Sequence, residues 1–260
     1  MKYITQMSLM FLGVIFNAQD IYAENRIVNI TLCHEDESSY PWILKDKKGL
    51  DIILLEMVGK KLDLVFKMKS LPWVRCLHDL KEGYVDGAFK MSFSSDRLAI
   101  ARYPMQGGIA NKAQRLHSDS YSLYKRKDST VGWNGKELLN IKGGIVGVQT
   151  GFSIISQIKE LGARVDDQTR SAEINLKKLA TDRVVAIALQ TQEGDRTLDL
   201  IPELAKKIEK VTPALIEKSY YLVLSQGFYK NNIQLSNDIW MTLEKTRESA
   251  EFKTIAEQFD

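Results

Sequence analysis

Strand and helix patterns alternate along this chain of 260 residues, and they do so in two successive blocks. In the first block, apolar residues alternate at 26–32, and a helical pattern follows for which Asp51 is a suitable N-terminal cap. A strand pattern at 64–68, a helical pattern at 72–83 and a short strand pattern at 85–89 complete the block. Alternating strands and helices predict a parallel sheet covered by helices.

The pattern restarts after a polar loop at 107–119. The second block has strand patterns at 122–125, 145–148, 184–189 and 220–224, and helical patterns at 154–161, 171–180 and 236–259. Two such blocks predict two α/β lobes with a cleft between them. In sheets of this kind, ligands bind near the carboxyl ends of the strands, so we expect a binding site in the cleft.

The first 23 residues have the layout of an export signal. Lys2 precedes a mostly apolar run from Tyr3 to Phe16, which is shorter than the roughly 20 residues that a membrane-spanning helix needs. Ala23 offers a small residue for cleavage. We therefore expect cleavage near Ala23 and export of the mature chain; the alternative is an uncleaved membrane anchor.

Export changes the interpretation of the two cysteines, Cys33 and Cys76. In an oxidising compartment they could form a disulfide bond, which would close a loop of about 43 residues. Two buried thiols are the alternative.

Composition and spacing argue against several other classes of function. The formal net charge of +3 is too small to indicate a nucleic-acid partner. The glycines fit neither a dinucleotide-binding motif nor a P-loop. The histidines lack metal-ligand spacing; they are His34, His78 and His117. We therefore expect no nucleic acid, no cofactor and no metal.

Four short motifs then follow one another along the chain. They are Ser-Tyr-Pro-Trp before Gly-Leu-Asp (39–51), Pro-Trp-Val-Arg-Cys before Gly-Tyr-Val-Asp-Gly-Ala (72–88), Ser-Phe-Ser-Ser-Asp-Arg (92–97) and Val-Gly-Val-Gln-Thr-Gly (146–151). In order and spacing they resemble the family 3 extracellular solute-binding proteins, the periplasmic receptors of polar amino acid ABC transporters. The Trp-x-Arg-Cys pattern at 73–76 resembles a proteobacterial subgroup of them.

This resemblance implies an α/β fold of the type II periplasmic binding protein class, with two lobes joined by a two-stranded hinge. We expect lobe 1 to comprise 24–120 and 222–260, and lobe 2 to comprise 121–221. Closure of the lobes about the hinge would trap a small solute.

The resemblance also implies ligand contacts. Arg97 matches the arginine that holds a ligand carboxylate, a role that suits a two-pronged guanidinium, and Ser92 matches a hydroxyl beside it. The alternative for Arg97 is a surface ion pair with Asp96 or Glu35. In lobe 2, a helix N-terminus would contribute Gly151, Phe152 and Ser153, where Phe152 replaces the usual threonine; Ser153 could equally be a plain helix cap.

The site for a ligand ammonium departs from the family pattern. The family has an aspartate after the second-lobe strand, whereas this chain has the uncharged Gln190, or Thr191 with a shift of one residue. Lys90 replaces a small residue near the cleft and would repel an ammonium unless Glu35 or Glu193 compensates. If Lys90 points inward, the pocket suits a mono- or dicarboxylate, or a modified amino acid; if it points to solvent, it has no such effect.

Three aromatic residues are candidates for the wall of the pocket, with core packing as the alternative. They are Tyr40, Trp42 and Trp73.

The resemblance implies a monomeric protein that captures an amino acid or related acid and delivers it to the membrane permease of an ABC transporter. A sensory receptor of the same fold is an alternative. A periplasmic lyase or dehydratase is a further one, and would need a cleft carboxyl group with a raised pKa. The candidates for that group are Glu35, Glu173 and Glu193. No carboxylate pair or triad supports them, so we expect a binding protein without catalytic residues.

Overall fold

The computed structural model of this chain describes residues 28–45 and 48–259. The predicted export signal at 1–23 lies outside the described residues and stays a prediction.

The described ranges contain strands of very different lengths. They are β1 (Val28–Glu35), β2 (Leu64–Leu71), β3 (Gly87–Ser92), β4 (Met105–Gln106), β5 (Ile109–Ala110), β6 (His117–Arg126), β7 (Gly132–Trp133), β8 (Leu138–Leu139), β9 (Ile145–Gln149), β10 (Arg164–Thr169), β11 (Ala186–Gln190) and β12 (Ile208–Leu224). The helices are α1 (Leu50–Lys61), α2 (Trp73–Lys81), α3 (Ile154–Glu160), α4 (Ala172–Ala180), α5 (Thr191–Leu200), α6 (Pro202–Ala205), α7 (Gln226–Asn231), α8 (Ile233–Arg247) and α9 (Ala250–Ala256).

Eight of these strands form one sheet with the order β10-β9-β11-β6-β12-β3-β1-β2. The three strands at one end, β2, β1 and β3, pair in parallel, and so do β10, β9 and β11 at the other end. We call the first group with its helices lobe 1 and the second lobe 2. The prediction of parallel α/β blocks is confirmed for both.

Strands β6 and β12 connect the two lobes. They pair with each other antiparallel over most of their length; β6 also pairs with β11 of lobe 2, and the end of β12 pairs with β3 of lobe 1. The pairing of β12 with β6 is interrupted between Val211 and Ile216, where Pro213 lacks the N–H that a ladder needs. The boundaries predicted at 120/121 and 221/222 fall within these two strands and stay a prediction.

Each lobe has its own buried apolar residues. In lobe 1, α1 and α8 pack against one face of the sheet through residues such as Leu54, Val58 and Ile239, all fully buried. In lobe 2, α3 packs on one face and α4 on the other, through Ile158 and Leu176. The lobes are therefore separate hydrophobic units that share the two connecting strands.

The disulfide bond between Cys33 and Cys76 is present, with Cα atoms 5.7 Å apart. It ties β1 to α2, and both cysteines are fully buried. Of the two alternatives that the sequence left open, the bridge is the correct one.

Several predicted elements need correction. Strand β12 begins at Ile208, far before 220; Pro213 and the charged pair Glu209 and Lys210 interrupt the strand pattern of its first half. The loop predicted at 107–119 contains β5, which pairs with β4 just before the loop, and the start of β6. The helix predicted at 236–259 is divided by Ser249, whose hydroxyl oxygen accepts the N–H of Phe252 and caps α9.

Two further corrections concern caps and polar elements. Asp51 does not cap α1: Gly49 holds the cap position, and the Asp51 carboxylate lies 2.8 Å from Nδ1 of His117. Helix α5 and strand β10 were not predicted, because too few apolar residues mark their buried faces. In residues 28–45 and 48–259, no helix combines the length and the apolar character needed to cross a membrane.

Candidate functional site

The two lobes meet over a cavity at the carboxyl ends of their central strands. Glu35 ends β1, Ser92 ends β3 and Gln190 ends β11, and all three side chains line it. The full lining is Glu35, Trp73, Phe89, Lys90, Ser92, Arg97, Tyr121, Phe152, Ser153, Gln190 and Tyr220. The structure thus brings together seven of the ten residues predicted as ligand contacts.

Arg97 is buried and is positioned by hydrogen bonds from both lobes. Its Nη1 donates to the carbonyl oxygen of Ser92 at 3.1 Å and to the hydroxyl at 3.2 Å, and its Nη2 donates to the carbonyl oxygen of Gly151 at 3.1 Å. No carboxylate of the described residues forms an ion pair with it, so the alternative of a surface pair with Asp96 or Glu35 is not what the structure shows. A guanidinium has five N–H groups, and these bonds leave some of them for a ligand.

Two serines face each other across the cleft beside Arg97. The hydroxyl groups of Ser92 and Ser153 are 2.8 Å apart, and Lys218 Nζ donates to the Ser153 hydroxyl at 2.9 Å. Burial and, to a smaller extent, the charge of Arg97 lower the pKa of Lys218 to about 8. Ser153 precedes α3 without capping it by its side chain, so its hydroxyl is engaged in the cleft instead.

Lys90 enters the cavity from β3 through an unusual backbone conformation. Its φ of 58° lies in the left-handed region, which is uncommon for a residue with a side chain and is found where function or packing requires it. The side chain is partly buried, and its Nζ donates to Oε1 of Gln190 at 2.6 Å, across the cleft. The same Nζ lies 5.4 Å from the centre of the Tyr220 ring. Lys90 therefore points inward, not to solvent.

Acidic groups surround Lys90. Burial lowers its pKa, while the negative charges of Glu193, Asp119, Asp51 and Glu35 act in the opposite direction. Burial in turn raises the pKa of Glu193 to about 7, and that of Asp119 also lies above its ordinary value. One oxygen of Glu193 accepts a hydrogen bond from Gln149 at 3.0 Å, and the other is buried and accepts none among the described residues.

Glu35 has a different set of partners. One carboxylate oxygen accepts the N–H of Trp73 at 3.1 Å, and the other accepts the N–H groups of Asp36 at 3.1 Å and Glu37 at 3.4 Å. Arg170 of lobe 2 reaches across the cleft to the second oxygen at 3.4 Å and to the carboxylate of Asp36. Burial and the neighbouring Asp36 raise the pKa of Glu35 to about 7. Glu35 thus belongs to a contact between the lobes.

In this arrangement the side chains of the two lobes contact each other directly. Gln190 Oε1 also accepts the Ser39 hydroxyl at 3.1 Å, and the cavity beside Arg97 and Lys90 has a volume of about 20 Å³. That volume holds about one water molecule. To enter this cavity, a larger solute must therefore separate the lobes or displace these contacts, and the same polar groups would then be exposed to it.

Aromatic side chains form much of the wall. Trp73 and Phe152, one from each lobe, were predicted there, and the guanidinium carbon of Arg97 lies 5.7 Å from the centre of the Trp73 ring. Sequence reasoning missed Phe89, Tyr121 and Tyr220. The last two lie in the connecting strands, so a prediction of which strand residues face the cleft could have found them.

Three of the predicted residues do not line this cavity. Trp42 stacks on His117 with ring centres 3.7 Å apart, a packing contact that gives no support to a role in the pocket wall. Tyr40 donates a hydrogen bond to the carbonyl oxygen of Phe259 and packs under Arg196. It lines a wider opening between the lobes, together with Glu37, Glu173 and Glu193. Gly151 contributes its carbonyl oxygen to Arg97.

Gly151 also allows the lobes to approach closely. Its φ is 75°, and a Cβ atom added there would lie 3.1 Å from Val74 and 3.4 Å from Trp73, both on lobe 1. Glycine is suited to both conditions, because it has no Cβ and populates positive φ without steric cost.

Two α/β lobes joined by two connecting strands, with a cleft at the carboxyl ends of the strands, define the type II periplasmic binding protein fold. The sequence matches no protein-family model and no curated protein. Solved structures do match. A histidine kinase sensor domain with similarity to periplasmic binding proteins has a TM-score of 0.73 and 16% identity, covering 90% of this chain and 97% of that chain.

Two further matches are binding proteins. An ancestral arginine-binding protein bound to arginine has a TM-score of 0.72 and 17% identity, covering 89% of this chain and 97% of that chain. The substrate-binding protein of an amino acid ABC transporter has a TM-score of 0.68 and 14% identity, covering 89% and 98%. At these identities the likeness establishes the fold, and the expected fold class is confirmed.

Proposed function

We propose that this protein is a periplasmic solute-binding protein that captures a small, polar, carboxylate-bearing solute between its lobes. The observation that carries the proposal is Arg97: a buried guanidinium without a carboxylate partner among the described residues, held by both lobes in the cleft. A buried charge is unfavourable unless a group of opposite charge pairs with it. Delivery to an ABC permease follows from the resemblance of the sequence motifs, and one of the matching structures is the substrate-binding protein of such a transporter.

In the proposed mechanism, the solute carboxylate binds the N–H groups of Arg97 that the protein does not use. Ser92 and Ser153 lie beside it and can donate to the same carboxylate, and Lys218 adds a second cation from the connecting strand. These groups come from both lobes, so one solute stabilises the closed arrangement by bonding to each. The exported, monomeric state is part of this proposal and rests on the signal-like N-terminal sequence and the family resemblance.

A sensory receptor is the second candidate, because one structural match is a histidine kinase sensor domain. Both functions use the same capture step and differ in the membrane partner. Pull-down of a permease or of a sensor from membranes distinguishes them.

We do not propose an enzyme, although Glu35 and Glu193 both have a pKa of about 7. The Glu35 carboxylate is held by three backbone N–H groups and Arg170, and Glu193 accepts a hydrogen bond from Gln149 and lies near Lys90. Glu173, the third candidate, forms an exposed ion pair with Lys177. Each has a structural partner that accounts for its position.

The test is titration calorimetry of Arg97→Ala and Arg97→Lys with the solute that stabilises the wild type most. Loss of two charge-assisted hydrogen bonds predicts a dissociation constant about 100-fold higher for Arg97→Ala, equivalent to about 3 kcal/mol. Arg97→Lys keeps the charge but loses the two-pronged geometry, so we expect an intermediate value.

Arg183→Ala is the matched control, because Arg183 is exposed before β11 and away from the cavity. Urea unfolding of each variant separates lost binding from lost folding. An unchanged affinity in a folded Arg97→Ala protein would refute the assignment.

A further inference from the structure

The cavity that holds the Arg97 guanidinium also contains the side-chain amino group of Lys90. Lys90 Nζ is hydrogen-bonded to Gln190 Oε1 and lies 5.4 Å from the centre of the Tyr220 ring. An amide oxygen, an aromatic face and nearby carboxylates are what an ammonium group binds in proteins. The side chain of Lys90 supplies that ammonium from within the chain.

The acidic groups near the cleft already interact with other groups of the protein, although one buried oxygen of Glu193 and one of Asp119 accept no hydrogen bond among the described residues. Glu35 accepts hydrogen bonds from three backbone N–H groups and pairs with Arg170. For Glu193 and Asp119, Lys90 is the strongest of the charges that favour their ionised forms. A ligand that brings its own ammonium group would have to displace Lys90 from these groups or lie beside it, and like charges in contact are strongly unfavourable.

The backbone of β3 supports the same interpretation. The left-handed conformation of Lys90 interrupts the pairing of β3 with β12, where the register shifts between Tyr221 and Val223. This irregularity turns the Lys90 side chain into the cleft, and such bulges commonly re-aim a side chain beside a functional site.

We propose that the Lys90 ammonium occupies the place in the cleft that a ligand amino group would take, so that the site selects carboxylic acids without an amino group over α-amino acids. This inference rests on the proposed function and names its substrate class: mono- or dicarboxylates, including hydroxy and keto acids. Arg97 holds the carboxylate, and Lys90 excludes the amine.

The first part of the test compares matched pairs of compounds that differ in the α-amino group. The pairs are propionate and alanine, succinate and aspartate, glutarate and glutamate, and 3-phenylpropionate and phenylalanine. We select the pair whose members bind the wild-type protein most tightly. In that pair, calorimetry should give the acid an affinity at least about tenfold higher than that of the amino acid. Equal or tighter binding of the amino acid would overturn the inference while leaving the proposed function intact.

The second part tests the cation site without any knowledge of the natural ligand. Lys90→Ala removes the ammonium and leaves space beside Gln190, Glu193 and Tyr220, whereas Lys90→Met removes the charge and keeps the bulk. Methylammonium or ethylammonium should raise the melting temperature of Lys90→Ala, and should leave the wild type and Lys90→Met unchanged. Lys67→Ala, at an exposed lysine of β2, is the control.

The two parts separate the possible failures. If alkylammonium stabilises Lys90→Ala but no carboxylate binds the wild type, the cation site stands and the proposed function fails. If the wild type binds acids and Lys90→Ala gains affinity for the matching amino acid, both stand. If alkylammonium does not stabilise Lys90→Ala and the variant prefers the same compounds as the wild type, Lys90 does not occupy an amine site and the inference is wrong.

Discussion

Glu193 shows how burial, rather than position in the sequence, determines the chemistry of a single side chain in the cleft. It lies in the first turn of α5 with 7% of its surface exposed, and burial raises the pKa of its carboxyl group to about 7. In the unfolded chain the same group titrates near 4.5. Between these two values the folded protein holds a proton on Glu193 that the unfolded chain has released.

This difference predicts a pH dependence of stability. Because the folded state binds more protons than the unfolded state in this window, the contribution of Glu193 to the free energy of unfolding is present below about pH 4.5 and is lost as the pH rises to about 7. Glu193→Gln cannot titrate. The difference in unfolding free energy between wild type and Glu193→Gln should therefore fall by about 1 to 3 kcal/mol from pH 4.5 to pH 8.

Urea unfolding at a series of pH values measures that difference. The comparison with the variant cancels the other groups, including His34, whose pKa burial lowers and which acts with the opposite sign. A difference that is independent of pH would show that Glu193 titrates normally.

At the scale of single elements, the disulfide bond joins β1 to α2 beneath the cleft. Glu35 ends β1 and its carboxylate accepts the N–H of Trp73, the first residue of α2. The positions of Glu35 and Trp73 therefore depend on how β1 and α2 are connected. The bond closes a loop with a sequence separation of 43 residues. A cross-link of this length restricts the unfolded chain, which stabilises the folded state by about 4 kcal/mol in the chain-entropy model.

The double variant Cys33→Ala/Cys76→Ala should therefore lose about 4 kcal/mol of unfolding free energy. Urea unfolding measures the loss, and reductant should reduce the stability of the wild type toward the same value while leaving the variant unchanged. If the variant is as stable as the oxidised wild type, the bond contributes nothing to folding.

Elements with apolar periodicity were predictable from the sequence, and those with polar faces were not. Helix α2 follows from Trp73, Cys76 and Leu80 at helical spacing, and Gly83 ends it with a φ of 74° as predicted. Helix α5, which carries Glu193, lacks such a pattern. The pairing of Lys90 with Gln190 joins residues 100 positions apart, and only the fold shows that they meet.

At the scale of the whole molecule, the two lobes are held together at the edge of the cleft by ion pairs. Arg170 of lobe 2 lies against Asp36 and Glu35 at the end of β1, and its carbonyl oxygen accepts a hydrogen bond from Gln149 at 2.9 Å. These ion pairs exist only when the lobes are closed. We expect them to slow the release of the solute.

Asp36→Asn should accordingly increase the rate of solute dissociation. Partly exposed ion pairs contribute about 0.5 to 1 kcal/mol, so the expected increase is about two- to fivefold, with little change in the association rate. Stopped-flow fluorescence measures both rates. Lys177→Ala breaks the exposed ion pair with Glu173 and serves as the control, which should release solute at the wild-type rate. A dissociation rate of Asp36→Asn equal to that of the wild type would show that this contact does not slow the release of the solute.

Closure of the lobes on a small carboxylate-bearing solute is the step that we propose for this protein. The most direct measurement is a thermal-shift screen of the purified protein, refolded to remove any carried solute, against carboxylic acids, amino acids, amines, sugars and short peptides. At 100 times its dissociation constant, a ligand should raise the melting temperature by roughly 5 to 10 °C. We expect that the compounds that do so carry a free carboxylate and that Arg97→Ala loses the shift. Stabilisation only by compounds without a carboxylate, or an equal shift in Arg97→Ala, would contradict this claim.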